Sequence, residues 1–336
     1  MFKWRARGVS AVFALLVGLS PTTGKGQETE IVMALPSLTL TFSSAFIAED
    51  AGFYKAEGLK VTTRNIVGVG SPNAVLAGSA HFTIGTGPVF LRAAAQGQRF
   101  LAIANLIERP LVELVLRKDV ADAAGITAQT SAADRAKALK GKTIGIQGVG
   151  SIVHAWERYV VNRGGLDVDK DVRIAPMDPP AMLPALDTKA IDGYATSMPF
   201  TTQAVMKGSA IMLASGAADA PELLPFAYGL LYTKPDTCKE KRDLCMRVAR
   251  AYIAATRFIN EKPDEAFALL RKRFARLDPD LLAAAWKAVA AAHPRDIRVT
   301  LPGLEHSQKV SLDARLLEPK DALTSYDGLY TDEFVR

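Results

Sequence analysis

Cysteine is nearly missing from this chain of 336 residues, with Cys238 and Cys245 the only two. They form no C-x-x-C pair and no zinc-type spacing, which excludes thiol redox chemistry and a structural zinc as organising themes. In an oxidising compartment they can close a short loop onto a helix start, but seven residues apart on one continuous helix they lie too far from each other, so both states stay open. Histidine is scarce too: His81, His154, His293 and His306 are scattered, without metal spacing or a paired carboxylate. Glycine motifs are incomplete. Gly148-x-Gly150 lacks its third glycine because position 153 is Val, and Gly141-Lys142-Thr143 lacks the first glycine of a P-loop because position 136 is Ala. Internal repeats and low-complexity linkers are also missing.

The apolar run Val9 to Leu19 is shorter than the about 20 residues a membrane span requires. Lys3, Arg5 and Arg7 precede it, and Ser20-Pro21 breaks it before a small-residue stretch ending near Gly26, the form of a secretory signal peptide over residues 1–26. No A-x-A precedes Gln27, which blurs the cleavage site, and no Cys at the end of the leader offers a lipid tether. The expectation is an exported chain in the periplasm of a Gram-negative envelope. Without Met1 to Gly26 the formal charge falls from +6 to +2. That removes the compositional case for nucleic acid as a partner. The remaining clusters, Lys239 to Arg242 and Arg271 to Arg276, lie beside acidic residues on predicted helices and read as solvated faces.

Apolar β-rich runs alternate with helical segments from Ile31 onward. Ile31 to Leu35, Lys60 to Asn65, Phe82 to Gly85 and Phe100 to Asn105 read as strands; Ala45 to Glu57, Ser71 to Ala77 and Pro88 to Gln96 read as helices. A strand at Leu111 to Arg117 leads through an Ala- and Asp-rich stretch to a second series that begins at Leu139 to Ile146. Long amphipathic helices follow at Asp236 to Asn260, Asp264 to Phe274 and Pro279 to Ala292. A chain of this length is too long for one ordinary core and suits two α/β lobes.

The stretch Ala45-Phe-Ile-Ala-Glu-Asp-Ala-Gly52-Phe-Tyr-Lys-Ala-Glu-Gly58-Leu-Lys-Val61 resembles a signature, A-x-E-x-G-F-F-K-x-E-G-L-x-V. It recurs in the substrate-binding proteins of ABC importers for sulfonates, nitrate, taurine and thiamine-pyrimidine precursors. Leu139-Lys-Gly-Lys-Thr-Ile-Gly-Ile146 resembles the opening of that family's second lobe. The resemblance implies an α/β, two-lobe periplasmic-binding-protein fold of type II, each lobe a mostly parallel sheet flanked by helices, with two crossing strands as hinge. The implied division is a first lobe over 27–114, a second over 115–228, and a return to the first over 229–336, with Phe226 to Thr233 as the returning strand.

Site residues follow from strand-to-helix loops. Gly145-Ile-Gln-Gly-Val-Gly-Ser151 runs from a strand into the predicted helix Ile152 to Arg163, whose N-terminus offers unpaired N–H groups to an anion. The resemblance adds ligand contact for Gly150 and Ser151; a plain cap by Ser151 has the same sequence. Ser37, Thr39, Thr41, Phe42, Ser43 and Ser44 make a hydroxyl-rich loop after the first strand, where open α/β sheets bind ligands, and the family pattern favours Phe42 to Ser44. Gly70, Ser71 and Thr86 match further ligand loops. Ile191 to Phe200 resembles a cleft segment, which nominates Thr196, Ser197 and Met198, with Phe200 as an apolar wall and Tyr228 at the hinge. Arg109 is a candidate for pairing with a carboxylate or sulfonate.

The resemblance implies capture without chemistry, no cofactor, a monomer, and delivery of a small organic anion to a membrane permease with a cytoplasmic ATPase. Pyrimidine or thiazole precursors are the alternative ligand, for which Phe42, Trp156 and Phe200 are stacking candidates. A sensor subunit and an exported enzyme on the same fold are the alternative roles.

Overall fold

The computed structural model describes residues 1–2 and 28–336, so the expected leader lies almost wholly outside the described residues. Ten strands are described: β1 (Thr29–Leu35), β2 (Leu59–Asn65), β3 (Phe82–Gly85), β4 (Leu101–Asn105), β5 (Val112–Arg117), β6 (Thr143–Ile146), β7 (Arg173–Pro176), β8 (Gly193–Ser197), β9 (Ala210–Ser215) and β10 (Leu230–Thr233). They form two five-stranded sheets, ordered β2-β1-β3-β10-β4 and β7-β6-β8-β5-β9. In each sheet four strands run one way. The fourth position holds an antiparallel strand that has just crossed from the other lobe, β10 in the first sheet and β5 in the second. Every residue of β3 and β8 is buried, as expected for sheet interiors covered on both faces.

The crossings run through residues 106–111 and 216–229. The expected boundary between 114 and 115 therefore falls inside β5, which pairs with β8 and β9 from Val112 onward. The returning strand is also shorter than expected: only Leu230–Thr233 joins the ladder, and the stretch before it bonds irregularly to Glu108 and Ile107.

Two predicted helices are broken. Gly52, with φ +77°, splits Ala45 to Glu57 into helices Ser43–Asp50 and Phe53–Ala56, a left-handed step that glycine takes without a Cβ clash. The helix expected over Asp236 to Asn260 is interrupted at Lys241 (φ −125°, ψ 54°), giving Pro235–Glu240 and Arg242–Glu261. The interruption folds the chain back and brings Cys238 and Cys245 to a Cα separation of 5.5 Å, where they are disulfide-bonded.

Helix Arg242–Glu261 packs on Ser43–Asp50 and Phe53–Ala56 of the first lobe. Tyr54 donates its hydroxyl to that of Tyr252 at 2.7 Å, and the two buried rings meet edge to face. Helix Pro263–Arg273 also packs on Ser43–Asp50, whereas two later helices reach the second lobe too. Pro279–Ala290 touches Phe200–Met206 of the second lobe, and Leu301–Asp313, which no sequence expectation covered, lies against both Gly87–Ala95 and Ile152–Arg163. Gly87 admits this close approach: a Cβ there would lie 2.7 Å from the carbonyl oxygen of Ala227 and 2.4 Å from Ser307 Oγ. No helix among the described residues is long and apolar enough to cross a membrane.

Candidate functional site

Loops at the C-terminal ends of β1, β2, β3, β6 and β8 converge between the lobes, where open parallel sheets place ligands. They enclose a cavity of about 50 Å³. The first lobe supplies Pro36, Ser37, Thr39, Thr41, Phe42, Gly68 and Thr86; the second supplies Gln147, Ser151, Ile152, Val153 and Ser197; Tyr228, on the second crossing, closes the hinge side. A larger cavity, of about 570 Å³, is lined by residues between Ile253 and Arg336. Two of its four arginines, Arg298 and Arg336, are paired with Asp296 and Asp332.

Each wall follows from local structure. After β1 the chain passes Pro36 into a short 3₁₀ turn, Leu40–Phe42, which aims Thr39, Thr41 and Phe42 at the cavity and then turns Ser43 and Ser44 into the core. Ser43 Oγ meets His293 Nε2 at 3.3 Å, and burial drops the His293 pKa to about 4, so this ring is neutral. Thr86 precedes helix Gly87–Ala95. Its Oγ1 and that of Thr41 are buried without a hydrogen-bond partner.

On the second lobe, Ser151 caps helix Ile152–Arg163. Its Oγ accepts from His154 N at 3.4 Å and donates to the Gly148 carbonyl at 2.7 Å. Thr196 Oγ1 donates to Gln147 Oε1 at 3.2 Å, and Ser197 Oγ lies 3.4 Å from the Tyr228 hydroxyl. No carboxylate lines the cavity. The buried Glu113 on β5 binds the Thr201 hydroxyl instead, and burial lifts its pKa to about 7. No group of three His, Cys, Asp or Glu residues among the described residues is arranged to hold a metal ion.

Of the residues nominated from sequence, Phe42, Thr86, Ser151, Ser197 and Tyr228 meet at this cavity, joined by Ser37, Thr39 and Thr41 of the same hydroxyl-rich loop. The remaining nominees do not line it. Ser43 and Ser44 pack inward, and Ser71 donates its hydroxyl to the Ile66 carbonyl. Gly70 begins helix Gly70–Leu76, and Thr196 serves Gln147. Met198 offers its carbonyl to Leu40 N across the lobes at 3.3 Å, while the Phe200 carbonyl accepts from Tyr194. The Gly150 carbonyl accepts from Arg92 of the first lobe, and Arg109 is exposed. Trp156 stacks on Tyr159 in the second-lobe core. Sequence reasoning ranked Ser37 below its neighbours and passed over Gln147 and Gly68. For Gln147 and Gly68 the available signal was their place in glycine-bearing loops directly after strands.

The profile of proteins described as NMT1/THI5-like matches residues 40–266, more than half of the chain. A comparison with curated proteins finds no match. Among solved structures, a protein of Bordetella bronchiseptica is similar over 92% of this chain and 96% of its own, at 21% identity and a TM-score of 0.75. The alkanesulfonate-binding protein SsuA of Xanthomonas axonopodis pv. citri, bound to MOPS, covers 88% of this chain and 96% of its own at 19% identity and TM-score 0.69. The periplasmic nitrate-binding protein NrtA of Synechocystis covers 91% and 87% at 13% identity and TM-score 0.69. At these identities the likeness speaks for the fold.

Proposed function

The chain belongs to the NMT1/THI5-like family, and from that premise we propose that it is the extracytoplasmic solute-binding component of an ABC importer. In this reading it captures a small organic anion, a sulfonate, a taurine-like acid or a carboxylate, between the lobes and hands it to a membrane permease. On the same reading the leader is removed and the mature chain works in the periplasm. We assign residues 28–111 and 230–336 to the first lobe and 112–229 to the second.

One observation carries the reading: a cavity walled by both lobes in which Thr41 and Thr86 present buried, unpartnered hydroxyls and no carboxylate opposes an anion. A hydroxyl buried without a partner is disfavoured unless something supplies the missing bond. The volume of about 50 Å³ is far below the ~300 Å³ at which small-molecule pockets begin. It suits a compact head group such as sulfonate, nitrate or carboxylate, so a larger solute requires the lobes to part. A solute that touches both walls only when they are close shifts the open-closed balance towards closure, which a permease can read. The runner-up ligand, a flat pyrimidine or thiazole, draws on the two aromatic rings of the wall, Phe42 and Tyr228.

The test is thermal unfolding of the mature protein against sulfonates, carboxylates, nitrate and pyrimidines. A ligand at a hundred times its Kd adds about 2.7 kcal/mol of stability. A stabilising organic anion whose effect disappears in Thr86→Val supports the assignment. A response to pyrimidines alone moves it to the runner-up, and silence from a folded protein across the panel removes it.

A further inference from the structure

The cavity of about 570 Å³ shares no residue with the one between the lobes. One bank is the C-terminal end of helix Arg242–Glu261, where Ile253, Thr256, Arg257, Asn260 and Glu261 recur at the spacing of a single helix face. The other bank is the loop Arg295 to Arg298, and Val335 and Arg336 complete the lining. Asn260 ties the two banks together: its Nδ2 donates to the carbonyl of Thr256 on the helix, at 3.1 Å, and to that of Pro294 before the loop, at 3.0 Å. The volume lies within the roughly 300–1,000 Å³ typical of small-molecule pockets.

Four guanidinium groups line this groove against two carboxylates, Glu261 and Asp296. Asp296 is spent on Arg298, accepting from its backbone N–H at 3.0 Å and its Nε at 2.7 Å, and Arg336 is paired with Asp332. Arg257 and Arg295 are exposed and make no side-chain hydrogen bond or ion pair among the described residues, although Glu261 lies one turn beyond Arg257 on the helix. Uncommitted cations on both banks of one concave surface draw an anion between them. The rest of the lining is mainly apolar, with Ile297 buried and Ile253 and Val335 half-buried, and Thr256 adds a buried hydroxyl that has no hydrogen-bond partner.

From this arrangement we infer that the groove is a second ligand site, which takes an organic acid carrying two or more anionic groups on an apolar frame. One acidic group meets the Arg257 fork and another the Arg295 fork, in the two-pronged geometry that guanidinium offers a carboxylate or sulfonate. The frame covers Ile253, Ile297 and Val335. The groove also sits on the hinge. The Ile297 carbonyl accepts from Asn105 N at 2.7 Å, and Asn105 brackets the second crossing, its Nδ2 donating to the Phe226 carbonyl at 3.2 Å and its Oδ1 accepting from Gly229 N at 3.3 Å. The same segment holds the first crossing, because Glu108 N donates to the Ala292 carbonyl at 3.0 Å. A ligand that orders residues 292–298 therefore stiffens the attachments of both crossings.

The experiment titrates the mature protein calorimetrically with sodium isophthalate, a rigid diacid, and sodium adipate, a flexible one, with sodium benzoate as the singly charged control and sodium chloride at matched ionic strength as the blank. Saturable binding of at least one diacid, about ten-fold or more tighter than benzoate, is expected. Both arginines are exposed and unbonded, so their substitution leaves folding intact. Arg257→Gln/Arg295→Gln is expected to weaken the diacid by about ten-fold or more, and Arg257→Lys/Arg295→Lys to weaken it less. Thr41→Val/Thr86→Val is expected to leave it unchanged. On saturation, hydrogen exchange of the Asn105 and Glu108 amides is expected to slow. Binding of neither diacid, equal binding by the double glutamine variant, or binding lost in the threonine variant alone overturns the site, and unchanged exchange at both amides overturns its tie to the hinge. The site does not rest on the solute-binding reading: failure here leaves that reading standing, and the reverse also holds.

Discussion

The two walls of the cavity use the same residue types differently. On the first lobe, Ser37 and Thr39 bond each other while the Thr41 and Thr86 hydroxyls are buried and unpartnered; on the second, Ser151 and Ser197 are bonded to Gly148 and the Tyr228 hydroxyl, and Thr196 behind them holds Gln147. A serine or threonine after a strand therefore has two distinct uses that look alike in sequence. The second lobe stabilises its own loops with them, and the first leaves Thr41 and Thr86 in reserve. The lobes differ in buried charge as well: Glu113 on β5 and Glu157 on Ile152–Arg163 both lie in the second lobe, and both oxygens of Glu157 lack partners.

That second difference predicts the largest effect. Burial raises the Glu157 pKa from 4.5 to about 7. Between these values the unfolded chain has lost the proton and the folded chain keeps it, so stability falls as pH rises through that window. The full loss is on the order of 3 kcal/mol, present above pH 7 and absent below pH 4. Glu113 adds a falling limb of the same sign, whereas His154 and His293, whose pKa values are lowered to about 4, add stability as pH rises from about 4 to 6.5. Urea unfolding of wild type and Glu157→Gln at pH 4 and 8 isolates the one residue. The variant is expected to gain on wild type by about 3 kcal/mol between the two pH values, and parallel curves would remove the contrast in buried charge.

Next in size is the double variant Thr41→Val/Thr86→Val, which keeps shape and deletes both reserve hydroxyls. Calorimetric titration is expected to show affinity for the stabilising anion down by about ten-fold or more, with folding stability unchanged or raised, since each lost hydrogen bond is worth about 1 kcal/mol and an orphaned group is removed. A fall in stability without a fall in affinity would make these hydroxyls structural and the walls alike. The smallest effect belongs to the other wall: Ser151→Ala removes a helix cap and is expected to lower unfolding stability by about 1 kcal/mol. If it instead weakens solute binding more than the double threonine variant does, the assignment of the two walls is reversed.

Much of this architecture is legible from local pattern. The alternation of apolar strands and amphipathic helices anticipates β1 to β4 within a residue or two, and Ser151 with its glycines marks the start of helix Ile152–Arg163. What was missed depends on contacts distant in sequence or on non-periodic turns. No Gly or Pro announces the break at Lys241, which is accompanied by the Cys238–Cys245 bond. The choice between Thr41 and Ser44 as wall residues is made by a 3₁₀ turn of three residues, too short to leave a period. Helix Leu301–Asp313 did carry a signal, since Thr300 caps it by accepting from Gly303 N and Pro302 sits in its first turn.

That last helix bears on how the lobes can move at all. Two covalent crossings define a line, and two bodies joined along a line keep one free rotation. Helix Leu301–Asp313 and the residue after it add non-covalent attachments: Arg158 Nε and Asn162 Nδ2 of the second lobe donate to the carbonyls of Ala314 and Asp313. Unless these lie on the line of the crossings, any rotation must stretch or release them. The C-terminal helix therefore acts as a catch that sets the energy of the first few degrees of opening, and Asn162→Ala, which deletes one of these attachments away from either wall, is expected to loosen the gape of the molecule.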